Sequence, residues 1–317
     1  MAAHIDSLEH LVSVVREAPG LRSKRDLALL GRLGVRAGDD AAVIPFGDTF
    51  LIMCAEAIAP DLARENPHAA GVAAVATNLA DVRAMGGRPI ALVDTVVSPD
   101  RGHAEAVLDG IARASELFGV PVVGGHLTVG GPAAVSAACT GTARVPLHAA
   151  AARPGDALLV AMCTDGAYVG DAPFFSSLRT RDPELLRSDG EVLALLAERG
   201  LIHACRDISM PGVAGSTLQM LELAECGAQL AVDRLPRPAD VALDRWLVTF
   251  PSFGFIMAAP PDMVSGVISA FADQAIPCTH CGEFTSGRSL VLSEGAVRRE
   301  VWDLARQPLT GAGISSG

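Results

Sequence analysis

The sequence predicts an α+β protein of two domains, and three observations carry that reading. The chain has 317 residues, 50% of them hydrophobic, which suffices for two cores in chains of roughly 150 residues each. Apolar runs with strand character alternate with helical periodicities along its whole length. Midway, His148-Ala149-Ala150-Ala151-Ala152-Arg153-Pro154-Gly155-Asp156 loses apolar periodicity and carries a Pro-Gly pair, which places the boundary there and gives domains of 1–150 and 151–317.

The elements follow in order. Ile5 to Glu17 reads as a helix closed by Pro19-Gly20, and Ser23-Lys24-Arg25-Asp26 resembles a capping box opening a second, shorter one. Ala41 to Phe46 and Phe50 to Ile58 read as strands around a Gly47-Asp48 turn. Asn66 as cap and Pro67 in the first turn open a long helix that runs to about Met85, where Gly86-Gly87 ends it. Its Gly71, Ala74 and Ala76 suit close packing. Pro89 to Val97 reads as a strand, Asp100 to Phe118 as a helix, and Val120 to Val123 as a short buried strand ending in Gly124-Gly125-His126. Ala133 to Ala143 completes a first half rich in βαβ character. The second half repeats the mixture: strand Ala157 to Met162, helices Pro183 to Glu198 and Val213 to Cys226, strands Gln229 to Val232 and Phe253 to Ala258, helix Pro261 to Phe271, then strands near Thr279 to Phe284 and Ser289 to Leu292.

Composition excludes several classes. A formal charge of −11 and 4% aromatic residues disfavour nucleic acid, which asks for a basic face and often stacking rings. No run of about 18 apolar residues appears, and Met1-Ala2-Ala3-His4-Ile5-Asp6 lacks the order of a signal peptide, so a cytoplasmic protein without membrane partners is expected. Seven scattered cysteines, an odd number, argue for reduced thiols rather than a disulfide scaffold. Lys24 is the only lysine, and the residues before it form no P-loop. A nucleotide enzyme of this composition would neutralise phosphate with divalent metal held on carboxylates, helped by arginine and helix amino ends.

Candidate acids fall in glycine-punctuated segments. Gly38-Asp39-Asp40 sets two adjacent carboxylates before a strand, where a hard cation could be held or a turn simply solvated. Asn78 and Asp81, three apart, share a face of the long helix, and Asp81 could instead bond the following loop. Asp207 precedes a helix start and could be its N-cap. Arg83, Arg88, Arg144 and Arg206 could read a carboxylate or phosphate, or decorate the surface. Cys278-Thr279-His280-Cys281 is a single CxxC laid over a strand, a weak zinc or redox signal.

Taken in order, Gly38-Asp39-Asp40-Ala41-Ala42-Val43-Ile44, Asn78-Leu79-Ala80-Asp81 through Met85-Gly86-Gly87-Arg88-Pro89, Gly124-Gly125-His126-Leu127-Thr128, Arg153-Pro154-Gly155-Asp156 and Asp207-Ile208-Ser209 resemble the motifs of the AIR synthase-like superfamily. That superfamily includes aminoimidazole ribonucleotide synthase, thiamine-monophosphate kinase, selenophosphate synthetase and the hydrogenase-maturation dehydratase. The resemblance covers about residues 30 to 295. It implies an N-terminal α/β domain that forms a β-barrel shared across a homodimer, with strands such as Phe50 to Ile58 and Ala133 to Ala143, and a C-terminal α+β domain. It further implies ATP and Mg²⁺, with phosphoryl transfer activating a small-molecule acceptor. By position, Asp40, His126 and Asp207 take catalytic roles. Asn78, Asp81, Gly124, Gly125 and Thr128 meet the nucleotide, and Asp39, Asp40, Glu56, Asp81 and Asp207 hold metal.

The chain also departs from its relatives. Ala55-Glu56 stands where the kinase and selenophosphate synthetase carry Thr-Asp, and Met210 where the kinase has a further acid. His126 matches selenophosphate synthetase, whose reactive Cys or Sec and lysine have no counterpart here. Asp94 is the one reminder of aminoimidazole ribonucleotide synthase. A divergent branch with its own substrate is expected, the alternative being a non-catalytic nucleotide-binding homologue or assembly partner.

Overall fold

Strand-forming segments of the first half pair into a five-stranded sheet, and those of the second half into a seven-stranded sheet with a small three-stranded companion. The structure, a computed structural model, describes residues 7–33, 38–170 and 172–311. From the amino end come α1 (Leu8–Glu17), α2 (Pro19–Ser23), a 3-10 stretch (Lys24–Leu33), β1 (Ala42–Phe46), β2 (Thr49–Ala57), α3 (Pro60–Glu65) and α4 (Pro67–Ala84). Next are β3 (Arg88–Ser98), α5 (Arg101–Phe118), β4 (Val122–Val129), β5 (Ala134–Ala143), β6 (Ala157–Met162), β7 (Ala167–Tyr168), β8 (Phe174–Ser176), α6 (Pro183–Ser188) and α7 (Val192–Glu198). The chain continues through β9 (Ala204–Asp207), α8 (Gly212–Ala224), β10 (Gly227–Ala231), α9 (Leu243–Leu247), β11 (Phe250–Pro251), β12 (Gly254–Ala259), α10 (Val264–Ala272), β13 (Cys278–Thr285), β14 (Ser289–Glu294) and β15 (Val297–Asp303).

Two compact units result. One is formed by Asp40–Pro146 with Asp182–Glu198, the other by the described residues of Met1–Asp39, Leu147–Arg181 and Arg199–Gly317. These units divide the chain differently from a single cut after residue 150. The reason is packing: α1 lays Leu8, Leu11, Val12 and Val15 into the core of the second sheet and rests on β15, while α6 and α7 are bound to elements of the first.

In the β1–β5 unit the strand order is β1-β2-β5-β3-β4. β3 and β4 are parallel, joined through α5 as a βαβ crossover, and the remaining pairs are antiparallel. α4 and α5 pack on one face, over buried Ile52, Leu92, Val96, Ala137 and Cys139. Their approach depends on two glycines: a Cβ at Gly71 would lie 2.1 Å from Val107 O, and one at Gly110 2.1 Å from His68 O. Asn66 caps α4 by accepting Ala69 N–H at 3.1 Å, and Asp100 caps α5 through His103 N–H at 2.9 Å. The pairing register turns Ile44, Phe46, Met53 and Val93 to the opposite face, where they are 43% to 65% exposed. α6 and α7 are held here by arginines: Arg187 donates to Leu117 O and Glu116 O at the end of α5, and Arg88 pairs with Glu191 and Glu198, each at 2.6 Å.

In the β6–β15 unit the order is β15-β14-β10-β13-β6-β12-β9. Leu158, Val160, Ile256, Leu290 and Leu292 meet Leu218 and Leu221 of α8 and Leu11 and Val15 of α1 in its core. Glu222 of α8, itself buried, accepts N–H groups of Leu309 and Thr310 at 2.7 and 2.9 Å, so the last described residues are strapped onto that helix.

Local departures from the sequence reading have local causes. The expected helix start at Ile5 lies outside the described residues; α1 opens at Leu8 with Ser7 as cap. Ser23 caps no α-helix: its hydroxyl donates to Gly20 O at 3.0 Å as α2 ends, and the helix that follows, Lys24–Leu33, is of the 3-10 type. The Pro183 to Glu198 helix breaks at a 3-10 turn, Asp189–Glu191. β4 runs through Gly124-Gly125 to Val129 and is mostly exposed rather than short and buried, because an edge strand tolerates glycine that a central one does not.

Candidate functional site

Asp40 and Asp81 are brought together within the β1–β5 unit. Asp40 enters β1 from the loop after Gly38, and Asp81 projects from the last turn of α4; a carboxylate oxygen of one lies within 4.8 Å of one of the other. Asp81 is buried. Two carboxylates this close repel in a partly desolvated setting, and a divalent cation between them reverses the sign of that interaction. The donors are hard oxygens, which fits Mg²⁺ and leaves coordination positions open for phosphate and water.

Asp39 and Glu56, also expected at the metal, have settings of their own. Asp39 belongs to the β6–β15 unit, where its carboxylate accepts Ala149 N–H at 3.3 Å and sits 3.4 Å from His148 Nδ1. The same loop is gripped one residue earlier, where Arg206 Nη1 donates to Gly38 O at 2.7 Å. Gly38 has φ of 109°, in the left-handed region that glycine enters without strain. Glu56, on β2, is exposed.

Asn78 lies one turn before Asp81 and is fully buried. Its amide nitrogen donates to Ala74 O at 2.8 Å, which leaves its oxygen facing β2. There the thiol of Cys54 lies 3.3 Å from both Asn78 Oδ1 and Asn78 O. Burial, and the charge of Asp81 next, push the Cys54 thiol far above its ordinary range, so it stays protonated and donates. The sequence reading missed Cys54; a cysteine alternating within an apolar strand carries no mark of such a contact.

The glycine-rich motif lies on β4, the edge strand opposite β1. His126 and Thr128 are exposed there, with Nε2 and Oγ1 3.3 Å apart. Gly124 has room for a side chain, whereas a Cβ on Gly125 would come 2.5 Å from Asp94 Oδ2. Burial raises the Asp94 carboxyl above the usual carboxylate range.

In the β6–β15 unit, Asp207 ends β9, is buried and pairs with Phe255 of β12. It does not cap α8, which opens five residues later at Gly212; Ser216 Oγ instead accepts Ser209 N–H at 3.1 Å. Met210 is exposed. Cys278 and Cys281 are buried, and burial pushes both thiols up, Cys281 to about 11. A redox or metal thiolate needs the opposite shift. Of the arginines, Arg83 is buried over the Phe118 ring and its guanidinium is lowered to about 10 by burial. Arg88 is committed to its two glutamates, and Arg144 lines a cavity of about 380 Å³ beside Arg88, Thr49 and Thr142. Among the described residues, no helix is long and apolar enough to cross a membrane.

Family models place both halves of the chain. The model for the N-terminal domain of AIR synthase related protein matches residues 38–145, and that for its C-terminal domain matches residues 153–294. The uncharacterized protein sll0787 of Synechocystis is 34% identical over 316 residues, covering 96% of this chain and 98% of its own. PurL of T. maritima complexed with ADP superposes with a TM-score of 0.74 at 20% identity, over 88% of this chain and 47% of that one. AaThiL complexed with AMPPCP and TMP gives a TM-score of 0.67 at 17% identity, over 86% of this chain and 95% of that one. At these identities the two structures show a shared fold, and the chain spans about half the length of the PurL structure it matches.

Proposed function

The chain belongs to the AIR synthase-related family across both of its domains, and we propose that it uses ATP with Mg²⁺ to phosphorylate, or activate through phosphorylation, a small-molecule acceptor. The observation that carries this reading is the approach of Asp40 and Asp81 to within 4.8 Å. Both would hold the metal, which when bound offsets the negative charge of the transferring phosphoryl group. The fold is one in which other proteins hold adenine nucleotides, ADP in PurL and AMPPCP in AaThiL. The chain's own contribution is positioning: carboxylates fixed on a helix end and a strand entrance, where little reorganisation is needed on binding. Asp207, His126 and Thr128 are assigned to nucleotide or acceptor by their place in the family motifs. Asn78 supports the site from within the core.

The exposed apolar face of Ile44, Phe46, Met53 and Val93 supports a homodimer in which two such sheets cover one another. Glu56 and Met210, at positions where the kinase has aspartates, favour a second reading, a nucleotide-binding homologue without turnover.

Calorimetric titration with AMPPCP, with and without Mg²⁺, tests the proposal. Binding should require Mg²⁺ and weaken at least ~10-fold in Asp40→Asn and Asp81→Asn at unchanged far-ultraviolet circular dichroism. Binding indifferent to EDTA and to both substitutions would refute the metal site. Phosphate release in the presence of candidate acceptors then separates enzyme from non-catalytic binder.

A further inference from the structure

Cys54 sits on β2 directly opposite Cys139 of β5, on the side of the sheet that α4 covers. Its thiol is the hydrogen-bond partner of both oxygens of Asn78, at 3.3 Å each. The Asn78 amide cannot turn over, because its nitrogen donates to Ala74 O, a carbonyl that only accepts. Asn78 and Asp81 are three residues apart on one helical face, so whatever fixes the rotation of α4 at Asn78 also fixes the direction of Asp81. The Cys139 thiol, by contrast, donates to Thr140 O at 3.8 Å.

We infer that Cys54 is a positioning residue for the cation site, acting through Asn78: its S–H bolts the last turns of α4 to β2 and so holds the Asp81 carboxylate at its distance from Asp40. The inference rests on the metal reading above. It adds a residue of different chemistry that no carboxylate motif contains; groups that hydrogen-bond metal ligands directly are worth about 10- to 100-fold in metal affinity, and Cys54, one contact further out, belongs at the lower end.

The test uses Mn²⁺ as a spectroscopic stand-in for Mg²⁺, titrated into the full chain without nucleotide and followed by electron paramagnetic resonance. Wild type and Asp81→Asn establish the site first; if wild type binds no Mn²⁺, or Asp81→Asn binds it equally well, the metal reading and this inference fall together. Given a site, Cys54→Ala should weaken Mn²⁺ about 10-fold, and Cys54→Ser, which keeps a donor, should recover affinity to within about threefold of wild type. Cys139→Ala, a neighbouring buried thiol of the same size, should lower the melting temperature without moving Mn²⁺ affinity. Should Cys54→Ala fail to fold, Cys54→Val keeps the volume without the donor and is read in its place. Unchanged affinity in the donor-less variant overturns the inference while leaving the metal site standing. So does an equal loss in the Cys54 and Cys139 variants without rescue by serine, since that is the signature of packing alone.

Discussion

Asp94 is an acid whose surroundings favour its neutral form, because burial raises its carboxyl and the Gly125 backbone closes over it. A folded pKa above the unfolded one means that the folded chain holds the proton more tightly. The associated stability is therefore complete below the unfolded value, about 3.9, and is lost as pH rises through the raised value. Asp94→Asn, melted in EDTA across pH, should accordingly be more stable than wild type at pH 7, with the difference vanishing near pH 3; equal melting temperatures at pH 7 would show that Asp94 is not held in a desolvated setting. The sequence was informative about residues of this kind only as far as chemistry follows identity. Asp40 and Asp81 stood out as acids beside glycine and on a helix face. Nothing distinguished Asp39 from Asp40, since adjacent identical residues differ only in where the backbone turns them, and that turn is set by Arg206 and Ala149, more than a hundred positions away. Asn78 was legible as a buried amide needing a partner, but the partner was a thiol on another strand.

Helices α4 and α5 show how an element's packing can be dictated by what a side chain lacks. Gly71 and Gly110 let backbone meet backbone, so Gly71→Ala forces a methyl against Val107 O, which cannot move aside as a flexible side chain would. Displacing the helix pair should cost about 1–3 kcal/mol or more and drop the denaturation midpoint without changing its slope; a midpoint within error of wild type would mean that the helices have slack. These helices were readable in advance because their caps, Asn66 and Asp100, and their stops are local signals. β9 and β15 were not: Ala-Cys-Arg-Asp is four residues long, and Val297-Arg298-Arg299-Glu300 is charged and exposed before it buries Val301. Each is a strand because a neighbour supplies hydrogen bonds, and sequence periodicity carries no record of a neighbour.

At the scale of the whole molecule, the face bearing Ile44, Phe46, Met53 and Val93 is too apolar to leave in water without consequence. If a second copy covers it, light scattering at micromolar concentration gives twice the chain mass, and Phe46→Asp, at 65% exposure a substitution the isolated chain tolerates, halves it. A wild-type monomer would dismiss the shared barrel. Two domains were expected from the Pro-Gly pair near residue 154, which lies within the β6–β15 unit, but the interleaving of the compact units was not legible, because α1 and the α6–α7 segment are ordinary amphipathic pieces whose destination is decided by distant surfaces. That interleaving bears on how the protein is made. The ribosome releases α1 early, with Leu8, Leu11, Val12 and Val15 ready for a sheet whose outer strand, β15, emerges nearly three hundred residues later. The apolar side chains of α1 therefore wait through the synthesis of the whole β1–β5 unit before the sheet they pack on is complete.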